Sequence, residues 1–198
     1  MKVDNEELLL DYIAASTNLY GVIPFAKVAE IYNEHNGEKI SLNIMTDFVN
    51  DKAIMKKLEE RFVYVNSDVF MAEVIHVFEE KEAVEQAAAG KPYYVPKPEE
   101  FLLFTDQFYF ERTPQQEQLK KMMLEDLDGS VDIEEEVEEL VLDLQMSGGD
   151  FTKELSEFLG RLKLPMEKAE RYIPVIIEIA NTTRLWENRG HTPNELMQ

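Results

Sequence analysis

The sequence predicts a mostly α-helical protein with an N-terminal winged-helix-like unit over residues 1–90, carrying one β-hairpin, and a C-terminal helical bundle over residues 91–198. Three observations point there. Apolar residues recur at intervals of three and four along most of the chain. Two β-rich runs, Phe62-Val63-Tyr64-Val65 and Val69-Phe70-Met71-Ala72, surround the polar turn Asn66-Ser67-Asp68. Three prolines then fall within Gly90 to Pro98, where neither a helix nor a central strand can continue.

The elements follow in order. Asp4 or Asn5 can cap a first helix whose stripe is Leu8, Leu9, Tyr12, Ile13, Ser16, Leu19 and Tyr20, and Gly21 stops it. Pro24 suits the first turn of a second helix, with Phe25, Val28, Ile31 and Tyr32 facing inward and Asn36-Gly37 at its end. Ser41 caps a third helix, Asn50-Asp51 starts a fourth, and the hairpin follows. Three or four helices and then a hairpin is the element order of a winged helix. Residues 73–89 read as one helix with Val74, Val77, Phe78, Ala83 and Val84 on one side. The proline-rich stretch after it reads as the domain boundary, and Tyr93 and Tyr94 mark it as a linker packed against a neighbour. Beyond it come an aromatic run at Phe108-Tyr109-Phe110 and four helices, at 113–126, 132–146, 150–162 and 165–188. Pro174 should kink or split the last of these.

Composition narrows the function classes. Hydrophobic residues make up 44% and charged residues 30%, a globular balance that excludes a disordered chain. Forty Asp and Glu against twenty Lys and Arg leave a formal charge of −20, which repels phosphate backbones and anionic membranes. The absence of cysteine removes disulfides, thiolate nucleophiles and cysteine zinc sites, and suits a reducing cytoplasm. Acidic residues at the N-terminus and the lack of a long apolar run imply mature, soluble protein throughout.

Few residues carry chemistry. From Leu124 the register of a calcium-binding EF-hand loop places Asp126 third, Asp128 fifth, Gly129 sixth, Asp132 ninth and Glu135 twelfth. Leu124 stands where the first anionic ligand belongs, so an acidic turn in which Asp132 caps the next helix is the favoured reading, and no cofactor is assigned. His35, His76 and His191 lie too far apart for a helical metal pair, and surface or capping roles suit them. Glu134, Glu135, Glu138 and Glu139 form a solvated acidic face. The third helix exposes Asn43, Thr46, Asp47 and Asn50 without a cation, and the nearest bases are Lys52, Lys56, Lys57 and Arg61 on the fourth. Nucleic acid is therefore disfavoured as a partner. No nucleophile elbow, Walker loop or dinucleotide fingerprint is present.

The least ordinary stretch is the end. Arg184, Leu185 and Trp186 continue the last helix, with Arg184 and Arg189 complementing its dipole, and Gly190 stops it. Thr192-Pro193-Asn194-Glu195 has the residues of a capping box, with only Leu196, Met197 and Gln198 left to form a helix. Two readings compete for Arg184, Trp186, Arg189 and His191: a structural cap with Trp186 buried and Arg184 paired to an acid, or a site for an anion or peptide. Over Asn181-Thr182-Thr183-Arg184-Leu185-Trp186 and Gly190-His191-Thr192-Pro193-Asn194-Glu195-Leu196 the chain resembles helical proteins of Gram-positive bacteria that often precede a small SEC-C zinc-binding tail. Leu19-Tyr20-Gly21-Val22-Ile23-Pro24 and Ile31-Tyr32-Asn33 share the resemblance. It implies a bacterial protein without an assigned reaction, and the zinc function of the tail does not carry over to a chain without cysteine.

These readings favour a noncatalytic intracellular adaptor or regulatory module that binds another protein. A winged-helix DNA-binding regulator comes second and a metal-dependent hydrolase third. No oligomeric state, partner identity or pathway follows.

Overall fold

In the computed structural model, which describes residues 5–37, 39–129 and 131–197, the chain is mostly α-helical with one small antiparallel sheet. It forms two units, Met1–Tyr109 and Phe110–Gln198. None of the described helices is long and apolar enough to cross a membrane.

The first unit is built on α1, Glu6–Tyr20, capped by the Asn5 side chain accepting from Leu8 N–H; Asp4 lies outside the described residues. Its burial goes beyond one stripe. Leu10, Ala14, Ala15 and Thr17 are buried along with Leu9, Tyr12, Ile13, Ser16, Leu19 and Tyr20. A helix buried around most of its circumference needs cover on every side. The helices α2 (Phe25–Asn36) and α4 (Lys52–Glu59) supply part of it, with α3 (Leu42–Val49) packed on those two, and the sheet supplies more.

The remaining cover comes from the stretch that reads as a linker. Phe101 and Phe104 are buried in the core of the first unit, with Tyr93, Tyr94, Val95 and Tyr109 packed against it. The Tyr20 hydroxyl donates to the Tyr94 carbonyl at 2.6 Å, and Asn18 Nδ2 donates to the Phe104 carbonyl at 2.8 Å. The helix break at Gly90 is thus not where the units part; the prolines fix an extended strap that reaches α7 (Pro98–Phe101) and a 3₁₀ turn, Leu102–Thr105.

The sheet has three strands in the order β1-β3-β2. β2 (Val63–Asn66) and β3 (Val69–Ala72) are the hairpin, shifted by one residue at β2 because Phe62 takes a left-handed φ of 58°. β1 (Val22–Pro24), which the sequence reads only as a link, pairs with β3 through Val22↔Met71, Ile23↔Phe70 and Pro24↔Val69. Proline is tolerated because it ends the strand. The helix expected over residues 73–89 is two, α5 (Glu73–Phe78) and α6 (Lys81–Ala87), separated at Glu79 with φ 56°. Ile75, Val84 and Ala88 face inward there, while Val77 and Phe78 are exposed.

The second unit contains α8 (Pro114–Asp126), α9 (Ile133–Met146), α10 (Phe151–Leu162), α11 (Met166–Thr182) and α12 (Pro193–Leu196); Gln198 lies outside the described residues. Thr113 and Gln116 form a capping box on α8, and Asp132 and Asp150 cap α9 and α10. Phe158, Tyr172, Ile176 and Ile179 meet Val137, Leu140 and Leu119 in its core. Pro174 does not split α11: it lies on the exposed face, so the Glu170 carbonyl it leaves without a helical donor is on the side open to water.

His35 illustrates the strap's effect. Its Nδ1 lies 3.1 Å from the Tyr12 hydroxyl, and its ring meets Phe101 edge-on at 5.6 Å. Burial lowers its pKa below the ordinary 6.5, outweighing Glu34 and Glu99, which act to raise it. The folded state therefore resists protonation, so His35 contributes stability above the unfolded-state value that is lost as pH falls through the folded one. The urea midpoint of the native chain should exceed that of His35→Gln by less at about pH 5.5 than at about pH 7.5. A gap that stays constant with pH would contradict the burial of a neutral imidazole.

Candidate functional site

The most distinctive residues of the sequence fold into a closed loop. Instead of running to residue 188, α11 ends at Thr182, because the side chains of Thr182 and Thr183 bond back to the Ile179 carbonyl at 3.1 and 2.8 Å and Thr183 turns extended. Arg184 and Arg189 therefore do not sit on the last turn of that helix. A 3₁₀ turn, Trp186–Asn188, follows, and Arg189 (φ 49°) with Gly190 (φ 78°) reverses the chain. Leu185 N–H then donates to the His191 carbonyl at 3.3 Å and Gly190 N–H to the Leu185 carbonyl at 3.0 Å. Thr192 and Glu195 complete the capping box of α12.

Arg184 fastens this loop. Its guanidinium donates to the Gly190 carbonyl at 3.0 Å, lies 3.2 Å from a Glu195 oxygen and 3.0 Å from Glu111, and is nearly buried. His191 Nδ1 lies 3.3 Å from Glu195. Burial would raise the pKa of Glu195, but the Thr192 N–H, Arg184 and His191 together hold it below its ordinary value. Trp186 is only 7% exposed. Of the four residues singled out by sequence, Arg184 and His191 thus converge on Glu195, Trp186 fills the interior and Arg189 makes the turn. This is the geometry of a structural cap.

The loop frames a cavity. Leu144, Phe151, Ile177, Ala180, Leu185 and Pro193 give it apolar walls, and its volume is about 390 Å³, within the range of ordinary ligand sites. Ser147, Asn181 and Glu187 are its polar lining. Gly149 brings the α9–α10 turn up to the loop: a Cβ there would stand 3.0 Å from Glu187 Oε2, and its φ of 95° suits glycine alone. Sequence reasoning missed this site. Glu187 and Asn181 lie inside the terminal signature, but Leu144, Phe151 and Ile177 come from three helices and carry no common motif.

The loop compared with an EF-hand is held by other bonds. Asp126 lies 2.9 Å from Lys168 and 3.9 Å from Arg171, and its carboxylate accepts from the Tyr172 hydroxyl at 3.3 Å. The bond from Lys168 lowers its pKa, while burial and that same carboxylate push the Tyr172 phenol up to about 12. Asp132 accepts from the N–H groups of Glu134 and Glu135 as a helix cap, and Asp128 and Glu135 are exposed. Asp132 is the helix cap of the favoured reading, although Glu135 does not complete a capping box with it, and Asp126 ties the end of α8 to α11. Among the described residues no three His, Asp or Glu side chains converge as metal ligands would.

The acidic face of α9 is also engaged within the unit. Glu134 meets Lys120 at 2.6 Å, Glu138 meets Arg112 at 2.8 Å, and Arg161 reaches Glu136, Glu139 and Asp143. His76 stacks on Tyr64 with ring centroids 4.4 Å apart, and each histidine thus lies in a different part of the structure.

No family model matches the chain, and neither a curated protein nor a solved structure matches it.

Arg184→Ala should lower the unfolding free energy by about 2 kcal/mol, because it strands the Gly190 carbonyl and removes the cation that Glu111 and Glu195 share. Urea unfolding followed by Trp186 fluorescence reads the loss directly, and Arg184→Lys should recover only part of it, since an ammonium cannot span the same acceptors.

Proposed function

We propose that this chain is a noncatalytic adaptor or regulatory module of the bacterial cytoplasm that binds another protein through the cavity of its second unit, and that it belongs with the helical Gram-positive proteins its terminal signature resembles. The cavity carries this reading. Six apolar walls and one carboxylate can desolvate and orient a partner's side chain, and that lining favours recognition. General acid–base work needs a second group opposite the carboxylate, matched to it in pKa. The Ser147 hydroxyl accepts from the Gly149 N–H, which ties it to the turn.

One observation favours a second reading, a winged-helix DNA-binding regulator. The pairing of β1 with β3 completes a three-stranded sheet after α1, as a winged helix requires, and α3 exposes Asn43, Thr46, Asp47 and Asn50. Two of the four bases nearest that helix weigh against it, while Lys52 and Lys56 are exposed. Lys57 lies 2.7 and 2.6 Å from Glu6 and Glu7, and Arg61 lies 2.9 Å from Glu7 and 3.9 Å from Asp11. Phosphate contact would have to break those pairs.

Placing p-benzoylphenylalanine at Ile177 and irradiating living cells of the source bacterium separates the two readings. Discrete protein adducts should form at Ile177 and not at Lys121, an exposed control on α8. Absence of such adducts, together with a salt-dependent shift of duplex DNA by the purified chain, would replace the first reading with the second.

A further inference from the structure

Resting on the protein-binding reading, we infer that the cavity receives an apolar side chain from a basic segment of the partner. The walls decide the anchor. A space of about 390 Å³ holds roughly a dozen waters at ~30 Å³ each, and apolar walls hydrate them poorly. A bulky branched or aromatic side chain replaces that water with contacts to Phe151, Ile177 and Leu185.

Charge decides what flanks the anchor. Glu187 is the single charged residue of the lining, and its carboxylate lies beside Gly149, where an added Cβ would stand 3.0 Å from Oε2. The surrounding unit is anionic: residues 110–198 carry 20 acidic and 10 basic side chains. Two cations on the framing elements face acids of this chain, Arg184 with Glu111 and Glu195, and Lys153 with Glu154 and Glu157. A partner segment with Lys or Arg beside its anchor is steered toward such a surface, and an acidic one is repelled.

Trp186 lies between the lining residues Leu185 and Glu187 in the chain and reports on occupancy through its fluorescence. The full chain is titrated with three acetylated and amidated hexapeptides: Lys-Lys-Leu-Phe-Lys-Lys, Glu-Glu-Leu-Phe-Glu-Glu and Lys-Lys-Ser-Ser-Lys-Lys. The first should saturate, and the other two should fail over the same range. Glu187→Gln, which keeps the shape of the side chain, should weaken the first about three- to fivefold, as loss of one partly exposed ion pair does. Ala180→Phe, which fills the cavity, should abolish it. Equal binding of the acidic peptide would overturn the basic flank. Equal binding of the serine peptide, or no change in Glu187→Gln, would reduce the effect to general surface attraction and overturn the site. If no peptide binds while protein adducts still form at Ile177, the partner chemistry is wrong and the protein-binding function stands; failure of both removes both.

Discussion

Cations are scarce in this protein, and their placement organises it. With 40 acidic side chains and 20 Lys and Arg, repulsion among carboxylates works against a compact state. Several of the bases stand where separate elements meet, while Lys27, Lys56, Lys81 and Lys153 pair along their own helices. Lys57 on α4 and Arg61 just beyond it hold the first turns of α1. Arg112 and Lys120 reach α9 from one side and Arg161 on α10 reaches it from the other. Lys168 on α11 holds the end of α8, and Arg184 joins the terminal loop to Glu111 and Glu195. Exposed pairs of this kind contribute little singly. Partly buried ones that bridge two helices add fixed geometry to packing that apolar contacts alone would leave free to slide.

That allocation shapes what the surface can meet. Lys57 and Arg61, paired with Glu6, Glu7 and Asp11, could contact a phosphate backbone only by breaking those pairs. The same allocation leaves an acidic exterior and, in the second unit, an apolar cavity with one carboxylate. The loop that Arg184 closes forms part of its wall. On the protein-binding reading proposed above, the terminal segment would serve fold stability and recognition together.

Local signals were legible where the physics is local. Asn5, Ser41, Asp51, Thr113, Asp132 and Asp150 are caps in the structure because a short polar side chain before an apolar period has few other uses. The hairpin was legible for the same reason. Elements fixed by distant partners were not. β1 is three residues long and exists only because β3 lies beside it. Tyr93 and Tyr94 mark the linker from Gly90 to Pro98 as packed, but nothing local shows that Phe101, Phe104 and Tyr109 beyond it join the first unit, although Ala14, Ala15 and Thr17 on α1 leave a second face in need of cover. The last helix ended early because Thr182 and Thr183 turned their hydroxyls back on it, a competition that an apolar period over Ile176, Ile179 and Leu185 conceals. The cavity was the least legible feature, since its walls come from three helices and a loop.

The allocation of cations is tested most directly at α9 and α10, where Arg161 Nε lies 3.0 Å from Glu136 and both side chains are partly buried. A double-mutant cycle of Arg161→Gln and Glu136→Gln, read by urea unfolding, measures their coupling free of other losses. A favourable coupling of about 1 kcal/mol is the predicted result. A coupling indistinguishable from zero would mean that the bases do not clamp the helices and remain available to an anionic partner.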